Sequence, residues 1–298
     1  MNKSLFLDVD IDDFGDYFRD KRNSYEDIIS LKVYNNLPTF IRKIILFLGL
    51  KINKKFLWLV YGQWKYNIEQ YDHVIIPSRK SCQYAIEKIS LKRKIIVYYW
   101  NIVTEREIPP ETFKNNKNVI LCTFDPIDAK KYSMNFVDTY LFPINPQIRN
   151  ISTDLFYVGI FRPNRNELLD YIKSSLKQYN LKLDFHIMKF NDKKNRMSYQ
   201  DVLKHSMETR VIVDLNRENQ CGLTLRPVEA LILQKKLITN NKNIKNYDFY
   251  NRQNIFIIGE DNISDLYDFI VSPYVGIDEL IVKRYYFENW VRKVIKYE

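Results

Sequence analysis

The stretch from Val211 to Tyr250 limits what this chain can fold into more than any other. An apolar run, Val211-Ile-Val-Asp-Leu215, is followed by a polar link, Asn216-Arg-Glu-Asn-Gln220. Cys221-Gly-Leu-Thr-Leu-Arg226 then leads into an apolar helical segment, Pro227 to Leu233, and a second strand-like run, Leu237-Ile-Thr239. Strand, Gly-containing turn, helix and strand in that order make an α/β unit, whose ligands bind in the crevice beyond the carboxyl ends of the strands. Helix N-termini there offer N–H groups and a positive dipole end to anions. Gly222 lets backbone approach a ligand, and Thr224 is the predicted N-cap. Arg226 falls in the first turn, where a cation opposes the macrodipole, and an anion such as a diphosphate held by it and the N–H groups accounts for its presence. Glu229, three residues on, faces the same way and suits sugar or ribose hydroxyls.

The same period runs through the rest of the chain. Leu5 to Val9, Tyr71 to Pro77, Lys94 to Asn101 and Val119 to Phe124 read as strands, with Thr139-Tyr-Leu-Phe142 as the last strand of this half. Leu37 to Leu48 carries its apolar residues at helical spacing, and Asp125 caps a short helix from Pro126. Asp154 to Gly159 and Leu183 to Met188 resume the pattern, each followed by a predicted helix, the second opened by Ser198. Strands alternating with helices predict parallel, doubly wound sheets. At 298 residues the chain exceeds a comfortable single core. Two Rossmann-like domains are expected, 1–150 and 151–277, with 278–298 as a closing helix whose apolar stripe packs back on the first.

Composition excludes several classes. Cys82, Cys122 and Cys221 are odd in number and widely spaced, which rules out a disulfide framework or zinc-finger spacing and points to a reducing compartment. No apolar stretch reaches the roughly 18 to 20 residues that span a bilayer. A cytoplasmic location is expected, at the inner face of the membrane, because Leu37 to Leu48 forms a basic amphipathic helix flanked by Arg42, Lys43, Lys51, Lys54 and Lys55. The net charge of +10 suits anionic partners, but no motif reads RNA or DNA. Walker, GxGxxG and HExxH patterns are absent too.

Gln220 to Arg226, Glu229 and Lys236-Leu-Ile-Thr-Asn240 resemble the donor-site region of GT-B-type glycosyltransferases of bacterial lipopolysaccharide and capsule clusters. Tyr98-Tyr-Trp-Asn101, Thr123-Phe-Asp125 and Asp128-Ala-Lys-Lys-Tyr132 resemble that group too. The resemblance implies a GT-B-like fold, two Rossmann-like domains facing a cleft, and sugar transfer from a nucleotide-sugar donor to a glycan or lipid-linked acceptor. It implies donor contacts from Arg162, Arg165, Asn216, Gln220, Gly222, Leu223, Thr224, Arg226 and Glu229. The acidic loop after the first strand, with Asp13 and Asp16, then supplies a base toward an acceptor hydroxyl, and Asn101 an acceptor contact. Neither a cofactor nor a metal is expected, because Arg226 and the helix end neutralise the leaving diphosphate.

Two other readings stand beside it. Asp8-Val-Asp10 ends the first strand as in haloacid-dehalogenase-type phosphatases, although Asp12 occupies the place where that pattern wants Thr or Val. A basic nucleic-acid-binding module would explain the charge alone.

Overall fold

The computed structural model describes residues 3–9, 13–144, 150–189, 196–217 and 220–298, with only the backbone at Asp13. Asp10 and Asp12, the stretch 145–149 of the polar segment Asn145–Thr153 whose composition reads as a linker, and most of Asp192–Arg196, which reads as a charged loop, lie outside the described residues. The chain divides into two compact units, Met1–Val137 with Val291–Glu298, and Asp138–Trp290.

In the first unit, strands β1 (Ser4–Asp8), β2 (Ile28–Lys32), β3 (His73–Pro77), β4 (Ile95–Tyr99), β5 (Val119–Thr123) and β6 (Asn135–Phe136) form one sheet. Its order is β2-β1-β3-β4-β5-β6, and every pairing is parallel. The helices are α1 (Asp13–Arg22), α2 (Thr39–Lys51), α3 (Leu57–Val60), α4 (Gln83–Ser90) and α5 (Pro126–Tyr132). The strands read as apolar runs because helices cover both faces of a parallel sheet. Leu5, Leu7, Val74, Ile76, Ile95, Val97 and Tyr99 are all buried in one core. Trp64 joins it, donating its indole N–H to the Val33 carbonyl at 2.9 Å. Asp125 caps α5 as its position predicts, accepting from the Ile127 and Asp128 N–H groups at 2.9 and 3.1 Å.

In the second unit, β7 (Thr153–Ile160), β8 (Leu183–Met188), β9 (Thr209–Asp214), β10 (Lys236–Thr239) and β11 (Ile255–Ile257) form a second all-parallel sheet, ordered β11-β10-β9-β7-β8. Helices α6 (Pro163–Leu176), α7 (Tyr199–Met207), α8 (Leu225–Ile232), α9 (Leu266–Val271), α10 (Glu279–Arg284) and α11 (Phe287–Ile295) complete the chain. The core gathers Leu155, Tyr157, Val211, Val213, Ile238 and Phe256 from the strands with Leu169, Ile172 and Leu176 from α6. Counted from its first strand, each sheet runs 2-1-3-4-5, the doubly wound order, and the first adds a sixth strand beyond β5.

Three departures have physical causes. Thr139–Phe142 is not a strand of the first sheet: it lies in the second unit, where only Leu141 makes a bridge, to Tyr286. Its apolar character serves an aromatic cluster instead, with Tyr140 4.6 Å from Trp290 and Phe142 5.1 Å from Phe287 between ring centres. Ile28–Lys32 is a strand not expected from the sequence, an edge strand with only Leu31 and two isoleucines to mark it. The closing segment is two helices, broken at Tyr285 and Tyr286, where backbone pairs with Leu141.

Candidate functional site

The order of the second sheet reverses between β7 and β9, and the carboxyl ends of strands flanking such a switch point are where a doubly wound sheet opens to ligands. β7 ends in Gly159-Ile160 and β9 in Asp214. A side chain at Gly159 would drive a Cβ into the Tyr157 phenol two residues back, so Gly159 is what lets that ring lie along the strand end. Arg165 follows from the first turns of α6, and its guanidinium acts on both Tyr157 and Asp214.

From the other side come the β9–α8 loop and the start of α8. Thr224 caps α8, accepting from the Arg226 N–H at 3.3 Å while donating its hydroxyl to Asp214 Oδ1 at 2.9 Å. Arg226 Nη1 pairs with Glu229 Oε2 one turn on, and the other Glu229 oxygen accepts from the Tyr199 hydroxyl at 2.8 Å. Glu229 has no exposure, and the Arg226 side chain keeps 18%. The first-turn cation is therefore opposed by a carboxylate of its own helix. Glu229 is engaged on both oxygens and fully buried, so a ribose hydroxyl could reach it only if Tyr199 or Arg226 moved aside. The N-terminus of α8 also offers fewer donors than an ordinary helix, since Thr224 takes the Arg226 N–H and Pro227 has none.

Two buried polar atoms of the strand-end cluster have no hydrogen-bond partner among the described residues, Asp214 Oδ2 and Arg165 Nε, and Asn216 Oδ1 in the loop that follows β9 is a third. Burial pushes the Asp214 carboxyl up to about 6, against the pull of Thr224, Arg226 and Arg165. With Asp214 ionised, two arginines face two carboxylates; with it protonated, one positive charge is left over. An anion bound here therefore favours the protonated carboxyl, and the strand end can trade a proton for a phosphate. Burial works most strongly against the charge on Arg226, but Glu229, Tyr199 and Asp214 together outweigh it and its pKa ends raised.

The loop ahead of α8 is pinned by asparagines. Asn216 donates its Nδ2 to the carbonyls of Gln220 and Gly222 at 3.1 and 3.4 Å, and its N–H to Asn240 Oδ1 at 2.7 Å. Asn241 Nδ2 reaches the Cys221 carbonyl at 3.1 Å, and Thr139 donates to that of Leu223 at 2.5 Å. Asn216, Gly222 and Leu223 are buried and shape the loop, while Gln220 is half-buried. Arg162 is exposed and precedes α6, its N–H reaching Asn166 Oδ1 at 3.4 Å.

The residues expected to serve an acceptor lie in the first unit. Asp16 is tied to Arg19 and stands 3.3 Å from Lys32, and Asn101 is half-buried just beyond β4. Trp100 beside it packs edge-on against Phe18 and Tyr98 at 5.8 and 5.5 Å. Asp8 spends both oxygens on Arg22 at 2.7 Å, and Oδ2 also accepts from Ser30 at 2.7 Å.

Asp214, Tyr157 and Tyr199 are not among the residues expected from the sequence. A carboxylate closing an apolar strand is the one local signal that marks Asp214; Tyr157 and Tyr199 join the site only through sheet register and helix packing.

No protein-family model matches this sequence, and no curated protein matches it. Among solved structures, Alr3699/HepE of Anabaena in complex with UDP-glucose is similar over 99% of both chains, at 9% identity and a TM-score of 0.55. The same protein in complex with UDP and glucose gives 8% identity and 0.53, again over 99% of each chain. A glycosyltransferase from Rickettsia africae gives 11% and 0.49 over 99% of this chain and 97% of that one, too slight to carry weight. The first two likenesses span both units, and with the two parallel sheets they establish the fold as two Rossmann-like α/β domains.

Proposed function

We propose that the protein is a GT-B-type glycosyltransferase that takes a sugar from a nucleotide-sugar donor held in its second domain. The observation that carries this is the strand-end cluster at the β7–β9 switch point, where Arg165, Arg226 and Asp214 converge with two buried polar atoms left open. A diphosphate suits it: the guanidiniums offer forked donors to phosphoryl oxygens, and charge developing on the leaving group meets dipoles already in place. On this reading no metal is required for transfer. Alr3699/HepE, whose fold the chain shares, is seen with UDP-glucose, which favours a uridine diphosphate donor.

In the same reading Asp13 or Asp16 serves as base toward the acceptor hydroxyl and Asn101 contacts the acceptor, a glycan or lipid-linked glycan of a cell-surface polysaccharide. A cytoplasmic enzyme working at the inner membrane face accounts for α2. Its Phe40, Ile44 and Phe47 are 66, 55 and 60% exposed, and Lys43, Lys51, Lys54 and Lys55 are exposed nearby. Among the described residues no helix is long and apolar enough to cross a membrane. The phosphatase reading is disfavoured because Asp8, its nucleophile, is locked by Arg22 and Ser30.

A thermal-shift and calorimetric panel of UDP, GDP, CMP and their sugar conjugates, with and without magnesium, tests the proposal. Binding of one nucleotide class, unchanged by magnesium and lost in a folded Arg165→Ala variant, supports it. Indifference to the whole panel overturns it, and a strict magnesium requirement overturns its metal-free form.

A further inference from the structure

Away from the strand-end cluster, the edge strand β8 and the last turn of α7 bring together two of the three histidines in the chain. Asp184 and His186 alternate onto one face of β8, while Phe185 and Ile187 face the core. His205 meets them from α7: Asp184 Oδ1 lies 2.7 Å from His186 Nε2, and Oδ2 2.6 Å from His205 Nδ1. The three groups can present one ligand atom each with all of these within 4.8 Å of one another. Phe156, fully buried and paired with Asp184 across the β7–β8 ladder, makes the floor. Its ring stacks on His205 at 5.3 Å and stands edge-on to His186 at 6.1 Å, and the two imidazoles are 81° apart. Side-chain exposures of 21, 39 and 34% for Asp184, His186 and His205 leave the group open to solvent from one side.

We propose that Asp184, His186 and His205 bind a divalent transition-metal cation of the zinc class. Two imidazole nitrogens and one carboxylate oxygen are a borderline donor set, suited to Zn²⁺, Co²⁺, Ni²⁺ or Cu²⁺ rather than to Mg²⁺ or Ca²⁺, which take oxygen ligands. Ligand atoms around zinc at ~2.0–2.1 Å stand roughly 3.3 Å apart, so side-chain rotation of well under 2 Å converts the present arrangement into a coordination shell. Each imidazole need only present its lone pair instead of an N–H at the inner nitrogen, with its proton on the outer one, so neutral histidines bind without net proton release. Three protein ligands leave at least one position for water.

The bound ion would tie the edge strand to α7. That helix carries Tyr199 at its other end, where the hydroxyl holds Glu229 and through it Arg226. The ion is thus a structural staple behind the strand-end cluster. It takes no part in the proposed transfer and does not depend on that reading.

Titration of the untagged full chain with Zn²⁺, in competition with a chromophoric chelator, tests the inference. One equivalent is expected to bind, and His186→Ala, His205→Ala and Asp184→Asn should each weaken it ~100-fold or more, since even outer-shell partners cost ~10–100-fold. His73→Gln and Cys221→Ser should leave affinity unchanged, and Zn²⁺ should raise the Tm of the wild type but not of the three ligand variants. Should a variant fail to fold, Co²⁺ on the wild-type chain decides: ligand-field bands without thiolate charge transfer support the site. No binding, binding indifferent to all three substitutions, or a thiolate band overturns it.

Discussion

The two sheets share the order 2-1-3-4-5, and beside the switch point of each an aspartate closes a strand, the first strand in one and the third in the other, yet the two carboxylates are treated in opposite ways. Asp8 ends β1 beside the first reversal and is fully spent: Arg22, buried between the rings of Phe6 and Phe18, holds both oxygens, and Ser30 adds a third bond. Asp214 ends β9 beside the second reversal with one bond from Thr224, one oxygen unmatched, and a carboxyl titrating near 6. A switch point is therefore only an opportunity for binding. Whether the opportunity is kept open depends on whether neighbouring side chains saturate the polar groups that gather there.

The largest effect should come from breaking the saturated end. Arg22→Ala leaves Asp8 with no cation, and about 3–5 kcal/mol of stability should be lost in urea unfolding at neutral pH, with nucleotide binding by the folded fraction unchanged. A loss below about 1 kcal/mol would mean that solvent already serves Asp8, and the contrast would lose its first half.

The open end should respond to pH instead. The folded-state pKa of Asp214 is raised, so its contribution favours the fold near pH 4 and is lost as pH climbs through about 6. Asp214→Asn keeps an acceptor for Thr224 and cannot ionise. It should match the wild type at pH 4 and exceed it at pH 8 by up to about 3 kcal/mol, taking the shift from 3.8 to about 6 at 1.36 kcal/mol per unit. A difference independent of pH would show that the carboxyl is not held out of water.

Two smaller substitutions probe what keeps that end open. Gly159→Ala forces the Tyr157 phenol aside and should cost about 2 kcal/mol, with a change in Tyr157 fluorescence or ring NMR shifts that an ordinary strand substitution would not give. Thr224→Ala removes a helix cap and the single bond to Asp214, for about 1 kcal/mol. If it costs nothing, Thr224 is not what positions the start of α8.

What the sequence shows of all this follows the range of the forces involved. Caps are local, so Ser198, Asp125 and Thr224 can be read from their neighbours, and each accepts the backbone N–H its position predicts. Leu183–Met188 is a strand over the residues its composition marks. Thr139–Phe142 misleads because an apolar run reports burial, not pairing, and its partners Phe287 and Trp290 lie almost 150 residues away in the chain. Arg226 and Glu229 were visible as neighbours on one helix face, but nothing short of packing reveals that Tyr199 claims the second oxygen. Asp184, His186 and His205 are likewise brought together by strand alternation and one helix, and no spacing motif announces them.

The outward face of α2 bears on how the protein behaves in the tube. Three bulky side chains open to water beside lysines make a surface whose self-attraction is restrained by charge. Sulfate salts weaken that restraint and strengthen apolar contact together, so the protein should precipitate at modest ammonium sulfate and be retained on hydrophobic-interaction resin. Phe47→Ser should elute it earlier without touching either strand end.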